Sequence, residues 1–243
     1  MGTAITLGMR RGTEPILFWG DFGYNSLSMK RTLGLLLVGL LGASFSVQDA
    51  AVNIEKRLSS LQSLQADFVQ VEYAASISTP LRETGKFYFQ RPGLMRWEYL
   101  DPEKNVYLYK EGVSLAYYPD DNQLLRRALS PEEKDSEIFA LLTGARKLED
   151  AYIIEDASFP SEKRAPVQLK LTPKQEGEFS SILLEADEKT WLIEKAVFFD
   201  WAGNKREFHF SQIKTNPRLA PKVFELEVPP DCEIIDDLPS LSK

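Results

Sequence analysis

The chain has 243 residues, 43% hydrophobic and 11% aromatic, with 36 acidic against 29 basic side chains and a net charge of −7. That acidic balance excludes nucleic acid as a natural partner and disfavours adsorption to anionic lipid headgroups. Its single cysteine, Cys232, excludes an internal disulfide.

The first readable element is a secretion signal. Met29-Lys30-Arg31 supplies a basic start, 33–41 an apolar run, and Ala43, Ser44 and Ser46 the small residues of a cleavage site. Nine apolar residues are too few for a membrane-spanning helix, which needs about 20. Cleavage after Ser46 fits best, so 1–46 reads as an N-terminal extension plus signal peptide. The remaining 197 residues, from Val47, form one domain of net charge −9. Residues 1–28 resemble no part of a signal, which leaves Met1 and Met29 both open as the translation start. No cysteine stands at the junction, so the exported product is expected to be soluble and not itself lipid-anchored.

Ile54, Leu58 and Leu61 form an apolar stripe that predicts a helix over 50–64. At Gln65 the period changes to two: Ala66, Phe68 and Gln70 alternate with Asp67, Val69 and Val71. Strand signals then recur near 81–90, 94–100, 105–110, 113–118 and 123–129, joined by turn chemistry at Glu111-Gly112 and Pro119-Asp120-Asp121-Asn122. Ser130-Pro131-Glu132-Glu133 caps a second helix over 131–143, with Ile138, Leu141 and Leu142 as its buried stripe and Gly144 at its end. Further strands are expected near 150–155, 166–173, 179–186, 191–200 and 206–214, and a last one over 224–228 before Pro229-Pro230. The fold class these signals give is mainly β (α+β): one strongly curved, mostly antiparallel sheet with a few helices available to cover its hollow.

Alternation places Phe87 with Phe89, Met95 with Trp97 and Tyr99, and Leu115 with Tyr117 on shared faces. Ordinary core packing explains each pair taken alone. Two helices are few against about ten strands, however, and a sheet so thinly covered either closes or leaves a cavity. The cavity reading takes Phe68, Phe87, Phe89, Met95, Trp97, Tyr99, Leu115, Tyr117, Ile138 and Leu142 as an apolar ligand-binding surface.

Catalytic chemistry finds little support. The lone histidine sits in Phe208-His209-Phe210, a strand pattern, and there is no nucleophile elbow, metal-spaced cluster or phosphate loop. Asp200 and Asp231 have no evident partner, and Cys232 reads as a small buried residue. No catalytic residue, metal or cofactor is expected.

The order of these blocks carries a resemblance. Leu64-Gln65-Ala66-Asp67-Phe68-Val69-Gln70, then Gly85, then Arg91-Pro92-Gly93-Leu94-Met95-Arg96-Trp97, Leu115-Ala116-Tyr117-Tyr118-Pro119 and the final Pro229-Pro230 resemble the outer-membrane lipoprotein carrier family (LolA-like) over the whole exported chain. The resemblance implies a single curved antiparallel sheet forming an incomplete β-barrel covered by lid helices, and a soluble periplasmic carrier that takes triacylated lipoproteins from an inner-membrane ABC transporter to an outer-membrane acceptor. It implies that Arg91 latches the lid helices by hydrogen bonds to their carbonyls, and that Met95 and Trp97 line the cavity. Met95 stands where an aromatic is common in the family, and the tail lacks the glycine usual after the prolines. A monomer is expected, for want of a heptad seam. A sensor of lipoproteins on the same fold, or a carrier of another acylated product, stays open.

Overall fold

A computed structural model describes residues 46–74, 79–128 and 147–237. The secretion signal and the helix expected over 131–143, with Ile138 and Leu142, lie outside the described residues.

Helix α1 (Val47–Ser60) begins where Ser46 caps it: the Ser46 hydroxyl accepts from the Asp49 amide at 3.1 Å and donates to the Asp49 carboxylate at 2.7 Å. Ala50, Ala51, Ile54 and Leu58 are buried along one face of it. The chain becomes extended at Leu61 and enters the sheet almost at once. The first six strands are β1 (Ser63–Tyr73), β2 (Leu81–Gln90), β3 (Leu94–Asp101), β4 (Val106–Lys110), β5 (Val113–Tyr118) and β6 (Gln123–Ala128). A short helix α2 (Leu148–Ala151) leads into β7 (Tyr152–Asp156), β8 (Val167–Pro173), β9 (Phe179–Ala186), β10 (Ile193–Asp200) and β11 (Lys205–Thr215). The last strand is β12 (Glu233–Asp237).

All twelve belong to one open, curved sheet in the order β12-β6-β5-β4-β3-β2-β1-β11-β10-β9-β8-β7. Every pairing is antiparallel except β12 with β6. Left-handed backbone at Glu111 and Gly112 turns β4 into β5, as the two-residue hairpin between them requires. The concave face carries the core, in which α1 packs with side chains from β1, β2, β3 and β7 to β11.

Two expectations at the C-terminal end are corrected. Residues 224–228 are not a strand: Pro221–Phe224 is a 3-10 turn, and the chain after it pairs with no strand. Pro221, Pro229 and Pro230 lack the amide hydrogens a ladder needs, and the segment is held instead by the buried Phe224 and by Arg96, whose guanidinium donates to the Glu225 carbonyl at 3.2 Å. The true last strand runs parallel to β6, with Asp236 beside Arg126 and Glu233 accepting from Gln123 at 2.8 Å. It is exposed along its whole length, so it shows no apolar alternation by which a sequence reading finds strands.

Candidate functional site

The register of β1, β2 and β3 sets the concave face. Phe87 lies opposite Ala66 and Trp97, Phe89 opposite Leu64 and Met95, and Gly85 opposite Phe68 and Tyr99. Residues directly opposite in an antiparallel pair share a face, so Phe68, Phe87, Phe89, Met95, Trp97 and Tyr99 converge. Their rings interlock. Phe68 meets Trp97 and Tyr99 edge-on at 5.0 Å, and Phe87 meets Trp97 at 4.4 Å. The Phe68 ring fits because Gly85 lies beneath it: a Cβ at Gly85 would sit 2.5 Å from Cζ of Phe68 and closer still to the Glu98 carbonyl oxygen.

Leu115 and Tyr117 do not join them. Trp97 faces Tyr107, and Tyr107 faces Ala116, so the concave residues of β5 are Ser114, Ala116 and Tyr118. Leu115 and Tyr117 project from the convex face with Leu108 and Val106. Both faces of β5 carry large side chains, so alternation within the strand had no means of choosing between them.

The β8 to β11 half of the face went unassigned in the sequence. Trp97 packs on Phe208 at 5.5 Å and on Phe210 at 6.2 Å, and Phe198 continues the row to Phe179 at 5.0 Å. The alternation of Phe208 and Phe210 around His209 was the available signal.

Over this surface α1 is fastened at its C-terminal end by Arg91, from the β2–β3 turn. Arg91 Nε donates to the Leu61 carbonyl at 2.7 Å, a terminal nitrogen donates to the Leu58 carbonyl at 3.2 Å, and its backbone amide donates to the Gln62 carbonyl at 2.9 Å. The last carbonyls of a helix carry partial negative charge, so a cation there is favourable. The guanidinium also lies over the Phe89 ring, 5.6 Å from its centroid, which ties the helix end to the aromatic face.

Beside α1 the concave face of the described residues leaves an apolar recess of about 20 Å³ bordered by Leu58, Ala66, Phe87 and Phe210. Larger hollows, about 300 and 530 Å³, lie on the convex face and are lined by charged groups such as Arg96, Lys222, Lys195 and Glu207.

The residues weighed for catalysis have structural partners. His209 projects from the convex face against Glu207 at 2.6 Å, and Glu207 also meets Lys195 at 2.8 Å and Lys205 at 3.2 Å. These contacts hold the Glu207 carboxyl far below the usual carboxylate range, the His209 hydrogen bond contributing most. Asp200 caps its own turn by accepting from the Ala202 and Asn204 amides, and Asp231 accepts from Asn122. Cys232 is partly exposed, its Sγ 3.7 Å from the Glu233 carbonyl oxygen.

Residues 59–227 match the family model described as outer membrane lipoprotein carrier protein LolA. A relative from Methylococcus capsulatus, named outer-membrane lipoprotein carrier protein, is 30% identical over 84% of this chain and 97% of its own length. One of the same name from Nitrosomonas europaea is 25% identical over 86% of this chain and 100% of its own. Among solved structures, an uncharacterized conserved protein from Thermus thermophilus superposes with a TM-score of 0.52 at 18% identity, covering 79% of this chain and 99% of that one. That likeness is one of fold.

Proposed function

This chain belongs to the outer membrane lipoprotein carrier protein (LolA) family, and from that premise we propose that it carries lipoproteins between membranes by sheltering their acyl chains on the concave aromatic face. In this reading it is exported by the 1–46 segment and works in the periplasm as a soluble monomer. Triacylated lipoproteins reach it from an inner-membrane ABC transporter and leave it for an outer-membrane acceptor.

The observation that carries this reading is the attachment of α1. The helix lies over an almost wholly apolar surface and is fastened there by hydrogen bonds from Arg91 to its terminal carbonyls. Burying one methylene is worth about 0.8 kcal/mol, so an acyl chain of about fifteen methylenes represents on the order of 12 kcal/mol. Hydrogen bonds from a charged donor contribute about 1.5–3 kcal/mol each. Acyl chains therefore supply enough free energy to displace the Arg91 contacts and the apolar face of α1 and take their place against Phe68, Phe87, Phe89, Met95, Trp97 and Tyr99. When the cargo leaves, Arg91 and the helix re-cover the face, and that recovered packing makes release feasible. Arg91 is thus the latch. The chemistry is binding and release, with no bond made or broken.

The test is recovery of the protein from its native compartment with its bound molecules, identified by mass spectrometry, followed by a transfer assay to outer-membrane vesicles. Acylated lipoproteins that pass to the vesicles support the reading. A membrane signalling partner recovered without acylated cargo overturns it in favour of a sensor.

A further inference from the structure

Along its length the concave face changes character. At the α1 end it is Phe, Trp, Met and Leu, whereas from Gln70 to Glu72 on β1, about 20–26 Å from Leu64 at the rise of a strand, it becomes polar. Gln70 is buried there, accepting from the Tyr99 hydroxyl at 2.7 Å and donating to the Glu83 carboxylate at 2.8 Å. Arg206 lies on the same face, opposite Glu72 on β1 and Phe198 on β10. Its terminal nitrogen is 3.6 Å from Glu72, a loose contact, and its Nε is buried without a hydrogen-bond partner. A buried N–H of a guanidinium left unpaired is costly, and such an atom is an available donor.

We propose that Arg206, flanked by Glu72 and Glu83, is the subsite for the polar linkage of the cargo, donating to the ester and amide carbonyls of an acylated cysteine while the tails run toward α1. This rests on the carrier reading above and adds an orientation and a selectivity to it. The separation of the two ends is comparable with the extended length of a long acyl chain. The phenol of Tyr99 joins the halves, since its ring packs on Phe68 and its hydroxyl belongs to the polar network.

The charge balance selects the headgroup. One guanidinium faces two carboxylates, with Glu103 near enough to act on Glu83 as well; burial, then Glu72 and Glu103, raise the Glu83 pKa. A phosphate gains no net attraction from such a set, whereas a neutral carbonyl needs only the unspent N–H. Phospholipids, the acylated molecules a carrier meets at every membrane surface, are disfavoured by the same residues that accept the ester and amide linkage of a lipoprotein.

The experiment compares three probes on the purified protein: a synthetic triacylated lipopeptide, phosphatidylglycerol of matched chain length, and a pyrene-labelled alkane with no polar head. Arg206→Met is expected to weaken lipopeptide binding by about ten- to a hundredfold, the worth of one hydrogen bond from a charged donor, and to leave alkane binding unchanged. Glu72→Gln with Glu83→Gln is expected to raise phosphatidylglycerol binding relative to lipopeptide. An unchanged lipopeptide affinity in Arg206→Met, or an equal loss for lipopeptide and alkane, overturns the subsite, and unaltered headgroup preference in the double variant overturns the selectivity. If the native protein binds none of the three, the carrier reading itself falls.

Discussion

Arg91 Nε donates to the carbonyl oxygen of Leu61 at 2.7 Å, joining the β2–β3 turn to the residue at which α1 ends. A hydrogen bond from a fixed cation to a helix terminus is directional and local, so its loss frees the helix end without disturbing the sheet. Arg91→Leu is expected to weaken the docking of α1 by about 1–3 kcal/mol. Hydrogen exchange measures this directly: amides of 47–60 exchange faster, while those of β1 and β2 keep their protection. On the carrier reading, the same variant is expected in a transfer assay to take up cargo but hand it over poorly, because the closed arrangement proposed to favour release has lost its fastening. Normal hand-over by Arg91→Leu refutes the latch.

Gly85 makes a second, steric prediction. Any Cβ there meets a backbone oxygen and the Phe68 ring together, and the backbone cannot yield cheaply. Gly85→Ala is expected to cost about 1–3 kcal/mol of stability, as overpacking does, read from the urea midpoint. The aromatic circular dichroism of the Phe68–Trp97 pair should change with it. A variant with native stability and an unaltered near-ultraviolet spectrum contradicts the close approach.

Much of this architecture is legible in the chain, and the failures have identifiable causes. The strands at 81–90, 113–118 and 179–186 stand where apolar alternation and turn residues place them, because both signals act within a few residues. Facing is harder. In β2 the small Gly85 and polar Lys86 leave no doubt which side is buried, whereas in β5 Leu115 and Tyr117 compete with Ala116 and Tyr118, and only the pairing through β4 decides. β12 is invisible because it is exposed throughout and its register partners lie on β6, a strand distant in sequence, with Gln123 and Arg126 meeting its Glu233 and Asp236. The aromatic side chains that β8 to β11 add to the concave face were also hard to place, because only the pairing of β11 with β1 sets Phe208 and Phe210 beside Phe68.

The corrected facing of β5 is open to test. Met95 is 2% exposed on the concave face, and Met95→Ala is expected to cost about 2–5 kcal/mol, the range for emptying a buried apolar site. Tyr117 borders the convex hollow with Tyr88 and Arg96, and Tyr117→Ser is expected to cost less, about 1 kcal/mol. Acyl-probe binding should be untouched by Tyr117→Ser. A loss of binding in that variant would return Tyr117 to the cargo surface.

Glu207 predicts how stability depends on pH. Its side chain is 12% exposed and is held by His209, Lys195 and Lys205, which lower its pKa in the folded protein below the ordinary value. A carboxyl depressed on folding stabilises the native state at every pH above its unfolded value, and that contribution is lost as pH falls toward the folded one. Native stability should therefore decline on acidification below about pH 4.5, where an unfolded glutamate begins to bind its proton. Glu207→Gln has no such proton to bind, and it also leaves Lys195 and Lys205 without their shared anion, so it is less stable at neutral pH. The gap between the two proteins, measured by urea unfolding, should narrow steadily from about pH 5 to pH 3 as the native carboxylate loses its advantage. A gap constant across that range would show that the convex-face cluster contributes through packing alone, with the charge of Glu207 contributing nothing.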